Sequence, residues 1–399
     1  MECVVLAAGE GRRMRPLTAN RPKVMLPLAN RPILEHLIIA AREAGITEFT
    51  LVVGYHEREV RSCFGNGERL GVRIRYVPQR HQLGTGDALR ECEGLLSGPF
   101  LLLNGDMVVR SGDLRALAGR KPTVIGVSRS SHAEDFGTVR MEGDRITDLA
   151  EKVPNPQSDL ISAGAYLLDP GIFGLLESIG RSERGEYEIT DALSVLIREG
   201  KVTGYPLSFW VDVGHPWDLL EANALLLENW TFGREGEIDP GAVLEGDVAV
   251  GPGSVIRHGT VIEGPCIIGR DCRIGPHAYI RGATSIGNDC HIGHCSEVKN
   301  SVILPGTKIP HFNYVGDSVI GSSCNLGAGT KIANLRNDHG PVHACGENTG
   351  RKKFGAIVGD GVSFGINCSV NAGTVVGSAC SFAPQSYVHG CIREGTEMR

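Results

Sequence analysis

The chain has 399 residues and 42.7 kDa, more than one ordinary hydrophobic core holds, which argues for two domains. A formal charge of −6 and a pI near 6.1 leave no basic field for nucleic acid or an anionic membrane, and no apolar run approaches the length of a membrane span. The 54 glycines are about twice the usual share of roughly 7%, a surplus that needs an architectural cause.

The start of the chain carries no basic leader and runs at once into glycine-rich sequence, so the expected location is the cytoplasm. Twelve cysteines scattered through such a chain read as reduced thiols rather than as a disulfide framework. Up to about Trp230, short β-rich runs at 4–6, 51–53, 74–77, 100–103 and 124–127 alternate with helical patterns at 33–44 and 87–96. That grammar predicts an α/β domain over 1–230 with a mostly parallel sheet, and ligands at the strand C-termini. A further helix is expected over 217–230, packed between the two regions.

The first strand leads directly into Leu6-Ala7-Ala8-Gly9-Glu10-Gly11-Arg12-Arg13. Gly9 and Gly11 let the backbone approach an anion, and Arg13 can close on phosphate oxygens. Pro22-Lys23 follows closely and suggests a lysine held near the same phosphates. Asn104-Gly105-Asp106 ends a buried apolar run, and a second carboxylate stands in Trp210-Val211-Asp212-Val213-Gly214. Singly these read as a basic turn and as strand-end caps; together they suit a reaction in which two anions meet.

These segments resemble the sugar-phosphate nucleotidyltransferases, whose signature L-A-x-G-x-G-x-R-[LM]-x-P-L-T is followed by P-K. The resemblance spans almost all of the first 230 residues and implies a Rossmann-like nucleotidyltransferase domain. By that resemblance Leu6, Ala7, Ala8, Gly9 and Gly11 border the nucleotide, and Gln79, Gly84 and Thr85 belong to the base-reading loop. Gly137, Glu151 and Ser162 fall at the sugar, Arg13 and Lys23 at the phosphates, and Asp106 and Asp212 on Mg2+. Ser162 departs from the family, which usually has Asn there, and the departure bears on sugar choice. The implied chemistry needs no general base, because a sugar 1-phosphate is already ionised when it attacks the α-phosphorus; charge neutralisation and alignment limit the rate.

Beyond Ile238 the aliphatic period changes to six. Ile238, Leu244, Val250, Ile256, Ile262, Ile268, Ile274, Ile280, Ile286, Ile292, Val298 and Leu304 follow without a gap, and Pro310 is next in phase. The phase slips there, resumes at Ile320, Leu326 and Ile332, breaks over 333–357, and returns at Val358, Phe364, Val370, Val376, Phe382 and Val388. This predicts a left-handed parallel β-helix of hexapeptide repeats over 231–399, three hexads to a coil, with glycine where the chain turns corners. Cys266, Cys272, Cys290, Cys324, Cys368 and Cys380 each stand four residues after a stacking position and read as packing residues. Cys290-His291-Ile292-Gly293-His294-Cys295 matches no common zinc spacing and reads as ordinary coil.

Two irregularities stand out in the repeat, the stretch His311-Phe312-Asn313-Tyr314 and the polar interruption after Ile332. Here the chain resembles the acetyltransferase half of the bifunctional N-acetylglucosamine-1-phosphate uridyltransferase/glucosamine-1-phosphate acetyltransferases, their archaeal branch included, without a gap from Arg281 to Asn334. The resemblance implies Arg281 and Lys299 on the sugar phosphate, His311 as base, Tyr314 and Asn325 on the amino sugar, Ala328 and Asn334 near acetyl-CoA, and Lys353 as a further lysine across a longer loop. A histidine, with an unperturbed pKa near ~6.5, suits removal of a proton from an amine, and backbone N–H groups of 326–329 or nearby amides suit the tetrahedral oxyanion.

The expectation is a bifunctional enzyme that acetylates glucosamine 1-phosphate with acetyl-CoA and then joins the product to UTP with Mg2+, as a homotrimer or a multiple of it acting on small molecules alone. Two other readings remain. One is a single-activity glucose- or mannose-1-phosphate nucleotidyltransferase whose β-helix only trimerises; His311 with Arg281 and Lys299 speaks against it. The other is a non-catalytic sugar-nucleotide sensor or assembly protein; Arg13, Lys23, Asp106 and Asp212 together speak against that.

Overall fold

A computed structural model of the chain describes residues 1–228 and 230–398 and divides into two compact bodies. One comprises Met1–Glu10, Arg21–Met25 and Pro32–Asp212; the other comprises Gly11–Asn20, Leu26–Arg31 and Val213–Arg399.

The first body is built on a nine-stranded sheet. Its order is Arg73–Pro78, Glu48–Val53, Glu2–Ala7, Phe100–Asn104, Leu160–Leu168, Val124–Arg129, Thr203–Pro206, Arg145–Glu151 and Gly137–Glu142. Alternation along the strands decides which side chain enters which layer. Cys3, Val5, Leu101 and Leu103 pack beneath the helix Ile33–Glu43 with Leu34, Leu37 and Ile38, whereas Val4, Phe100 and Leu102 pack on the other side with Leu89, Leu193 and Ile197. The first four strands are parallel as expected and most of the sheet keeps that direction, but Leu160–Leu168 runs antiparallel to both neighbours. A strand buried on both faces reads as one apolar run whichever way it points, which is why its direction is not written in its composition. The helix expected over 87–96 is shorter, Thr85–Arg90, and gives way to turns in which Cys92 N–H bonds Leu89 O and Leu95 N–H bonds Cys92 O around Gly94 at φ 73.

The second body carries a solenoid of three parallel sheets. Its first face begins at Glu237–Ile238, its second at Val243–Glu245 and its third at Val248–Val250. Aliphatic side chains stack coil on coil, Ile238 over Ile256 over Ile274 over Ile292, and the six cysteines singled out by position are all buried among them. The stack then departs from the six-residue count: Ile286 pairs with Ile303, Ile292 with Ile309 and Val298 with Val315, so Leu304 and Pro310 are not the stacking residues. The slip occurs at a corner. Where Gly282 and Ala283 turn the chain with two left-handed residues (φ 50 and 39), the next coil turns on Asn300 alone (φ 43), and the coil after that on Asp317 alone (φ 49). His311, for its part, does not interrupt the coil; it pairs with His294 one coil back.

The interruption over 333–357 is a loop containing the hairpin His343–Ala344 with Glu347–Asn348. Its Cys345 is bridged to Cys391 of a late coil, a correction to the expectation of reduced thiols throughout; ten other cysteines are free. Composition speaks for the chain as a whole, whereas topology brings this one pair to a Cα separation of 5.5 Å. The expected C-terminal helix of the front region, Asp218–Leu227, lies within the second body. It is tied by the buried Asn223, whose Oδ1 accepts Ala29 N–H at 2.9 Å and Ser285 Oγ at 2.6 Å while its Nδ2 donates to Ala283 O at 2.7 Å. Among the described residues no helix is long and apolar enough to cross a membrane.

Candidate active sites

In the first body, strand Glu2–Ala7 carries Leu6, Ala7 and Ala8 to the C-terminal edge of the parallel half of the sheet, where Phe100–Asn104 also ends. Gly105 follows where no side chain fits: a Cβ there would lie 2.7 Å from Leu6 O, which already accepts the Gly105 N–H at 2.9 Å. The tight turn presents Asp106, whose Oδ2 receives Lys23 Nζ at 2.6 Å. Asp212 arrives by strand pairing, because Trp210–Asp212 runs antiparallel to Met107–Val109 with Asp212 opposite Met107. Lys23, Asp106 and Asp212 are thereby brought to one place. Two carboxylates at a strand end are a donor set that fits Mg2+, an ion that takes its remaining oxygens from phosphates and water. Gly11, left-handed at φ 65, opens the one-turn helix Arg12–Met14 that exposes Arg13, and Thr18 Oγ1 bonds its carbonyl at 2.8 Å; this segment belongs to the second body.

Gln79 is buried, and its Nε2 donates to Asp87 Oδ2 at 2.8 Å and to Gly84 O at 3.2 Å. A carboxylate accepts only, so Asp87 fixes which end of the amide is Nε2 and leaves Oε1 as the end available to another donor. Gly84 and Gly86 pack under Tyr187, whose carbonyl takes the Gly86 N–H at 2.8 Å. Thr85 Oγ1 accepts the Ile189 N–H at 3.1 Å, so it ties this loop to the start of helix Ile189–Arg198.

Gly137 lies opposite Glu151 in one strand pair, and Ile161 opposite Thr138 in another, which gathers Gly137, Glu151 and Ser162. Ser162 Oγ donates to Tyr166 Oη at 3.0 Å; both residues are buried, and burial raises the Tyr166 phenol well above its ordinary range. Sequence reasoning missed Arg184, which stands 3.6 Å from Glu151 and also reaches Glu186 at 3.0 Å and Glu188 at 3.4 Å. Burial pushes the Glu188 carboxyl up. The available signal was a lone arginine among closely spaced glutamates in Glu183-Arg184-Gly185-Glu186-Tyr187-Glu188.

In the second body, Arg281, Lys299 and Gly316 occupy the same rung position on three successive coils of the second face. Arg281 Nη2 stands 2.8 Å from Glu297 Oε1, which raises the guanidinium further. A side chain at Gly316 would displace its neighbours: a Cβ would come within 2.7 Å of both Asn334 Nδ2 and Tyr314 Oη, which lie over it. Asn334 Nδ2 donates to Tyr314 Oη at 3.1 Å and to Asp317 Oδ2, and Lys299 Nζ donates to the same carboxylate oxygen at 3.4 Å. Burial and the nearby Glu297 carboxylate raise the Tyr314 phenol. Lys353 bridges to Leu335, and Phe354 N–H bonds Asn334 O at 2.9 Å, so the loop returns Lys353 beside Asn334. Arg281, Lys299, Tyr314 and Asn334 thus form one group, with the backbone of Lys353 running next to it. His311 and Asn325 stand exposed on the first face, with Ala328 beside them through the Gly329 N–H bond to His311 O at 2.9 Å. The chain places these two groups on neighbouring faces, joined through Phe312-Asn313. Gly316 and Asp317 were missed in the sequence, where they read as one more corner.

The chain matches the nucleotidyl transferase family over residues 2–229 and the GMPPB C-terminal domain over 262–393. It is 41% identical over 401 residues to a bifunctional GlmU protein of Methanocaldococcus jannaschii, covering 99% of this chain and 97% of that one. A bifunctional sugar-1-phosphate nucleotidylyltransferase/acetyltransferase of Sulfurisphaera tokodaii is 34% identical, with 99% of each chain covered. Among solved structures, a glucose-1-phosphate thymidylyltransferase of Bacillus anthracis, crystallised with sucrose, superposes with a TM-score of 0.53 at 28% identity over 58% of this chain and 97% of its own. With a family match across more than half its length and relatives of this identity end to end, the chain belongs to the nucleotidyl transferase family, within its archaeal bifunctional GlmU branch.

Proposed function

We propose that the chain makes UDP-N-acetylglucosamine in two steps, acetyl transfer on the second body and uridylyl transfer on the first. The observation that carries the reading is the polar cluster of Lys299, Tyr314, Asn334 and Asp317 over the bare Gly316, which a β-helix serving only as a trimerising support has no need to build.

In the first step Arg281 and Lys299 hold the phosphate of glucosamine 1-phosphate. His311 accepts a proton from the amine, whose nitrogen attacks the thioester carbonyl of acetyl-CoA. The C–S bond breaks, and the CoA thiolate leaves and takes up a proton. In the second step a phosphate oxygen of N-acetylglucosamine 1-phosphate attacks the α-phosphorus of UTP, and pyrophosphate leaves in line. Asp106 and Asp212 would hold Mg2+, which would supply charge neutralisation at the phosphates. Lys23 and Arg13 are the cations assigned to those phosphates. Gln79 Oε1 accepts the N3–H of uracil or thymine, a hydrogen cytosine lacks; Glu151 and the Ser162–Tyr166 hydroxyl pair are assigned to the sugar. We read the protein as a cytoplasmic homotrimer, or a multiple of it, in keeping with the exposed Phe312, Ile366 and Tyr387 of the solenoid.

The test supplies purified protein with acetyl-CoA, UTP and a panel of sugar 1-phosphates, and reads free thiol and pyrophosphate separately. Thiol release with glucosamine 1-phosphate and pyrophosphate release with its N-acetyl form are expected. Pyrophosphate release from glucose or mannose 1-phosphate alone, with no thiol from any sugar, replaces the proposal with the single-activity reading.

A further inference from the structure

We propose that Asp317 is a positioning residue of the acetyl-transfer site: it turns the oxygen of the Asn334 amide toward the substrate, so that Asn334 accepts from the substrate amine and does not donate to the tetrahedral oxyanion. The inference rests on the reading of the second body as an acetyltransferase.

Asp317 is 4% exposed, and everything around its carboxylate donates. Oδ1 takes Asn300 Nδ2 at 2.7 Å, and Oδ2 takes Lys299 Nζ at 3.4 Å together with Asn334 Nδ2. An ionised carboxylate has no hydrogen to give, so the Asn334 atom facing it is the nitrogen. That nitrogen carries two hydrogens, one directed to Asp317 and the other to Tyr314 Oη at 3.1 Å. With both engaged, the side chain offers a ligand only its carbonyl oxygen. Such an oxygen beside the reacting centre accepts an N–H of the amine and aims the nitrogen lone pair. It repels the negative charge that develops on the thioester oxygen, whose stabilisation is left to backbone N–H groups or to the Tyr314 hydroxyl hydrogen.

The fold holds Asp317 for this purpose. It turns a short corner at φ 49, where Asn300 stands one coil earlier, and its backbone N–H bonds Lys299 O at 2.9 Å. Its carbonyl receives Gly355 N–H at 2.8 Å, which closes the loop that carries Lys353. Asparagine enters the left-handed region as readily as aspartate, so Asp317→Asn removes the charge without straining this corner.

The experiment compares Asp317→Asn, Asn334→Ala and the double variant with the wild type, following thiol release against glucosamine 1-phosphate concentration, with uridylyl transfer from UTP to N-acetylglucosamine 1-phosphate as the check on folding. For Asp317→Asn, kcat is expected to fall roughly 10- to 100-fold, as for a misdirected reacting group. KM for the sugar phosphate should not rise, because Lys299 is released from a competing carboxylate. The double variant should match Asn334→Ala within about twofold, the non-additivity of residues that act through one another. A kcat unchanged by Asp317→Asn, a rise in KM alone, or effects that multiply in the double variant overturns the inference while leaving acetyl transfer intact. A wild type that releases no thiol removes the acetyltransferase reading and this inference with it.

Discussion

Lys23 Nζ stands 2.6 Å from Asp106 Oδ2, an ammonium and a carboxylate held together at the end of a buried strand. The pair places opposite charges where the account puts a metal and a phosphate chain, so neutralising Asp106 should strike only the nucleotidyl half. Asp106→Asn is expected to lower pyrophosphate release by roughly 10²- to 10³-fold, with thiol release from acetyl-CoA unchanged. Removing Mg2+ with a chelator should give the same split in paired assays of the wild type.

Gly316→Ala is the matching probe of the second body. The backbone there accepts alanine, but the new methyl would meet Asn334 Nδ2 and Tyr314 Oη at 2.7 Å. Displacing groups that must hold a substrate within a few tenths of an ångström is expected to cost about 10²-fold in acetyl transfer. Pyrophosphate release assayed on the same preparation should be unaltered.

In the proposed site Asp87 and the Gly84 carbonyl together set which end of Gln79 meets the base, and Asp87→Asn weakens that hold on the amide. The ratio of kcat/KM for UTP to that for CTP is expected to fall about tenfold, the worth of one hydrogen bond to a buried polar group. Steady-state pyrophosphate assays with each nucleotide check this.

Assembly gives a further expectation. His311 and Phe312 are exposed on the solenoid, Phe312 at 55%, and His311 in its proposed role as base needs a surface that covers it from water. Light scattering at micromolar concentration is expected to return a trimer or a multiple of three; a stable monomer with full acetyl transfer contradicts it.

Much of this was legible before folding because both halves repeat their signals locally. The solenoid announces itself through one aliphatic residue per hexad, and Asp106 and Lys23 stand inside contiguous motifs. What escaped the sequence depends on pairing at a distance. Leu304 and Pro310 happen to prolong the count of six, and only the pairing of Ile286 with Ile303 shows that the corner at Asn300 is one residue short. Asp317 looks like any corner residue until the next coil and the returning loop lay Lys299 and Asn334 against it. Arg184 meets Glu151 only across the sheet, and Cys345 meets Cys391 only once the late coils are wound. The direction of Leu160–Leu168, likewise, is a property of its neighbours.

If the solenoid is itself an acetyltransferase, His311→Ala removes its base. Thiol release with glucosamine 1-phosphate should fall roughly 10²- to 10⁴-fold, in kcat more than in KM, because a general base acts in the transition state while Arg281 and Lys299 still hold the sugar phosphate. Uridylyl transfer to ready-made N-acetylglucosamine 1-phosphate should be unchanged. A wild type that frees no CoA thiol with any hexosamine 1-phosphate, or a His311→Ala variant that frees it at the wild-type rate, contradicts the account.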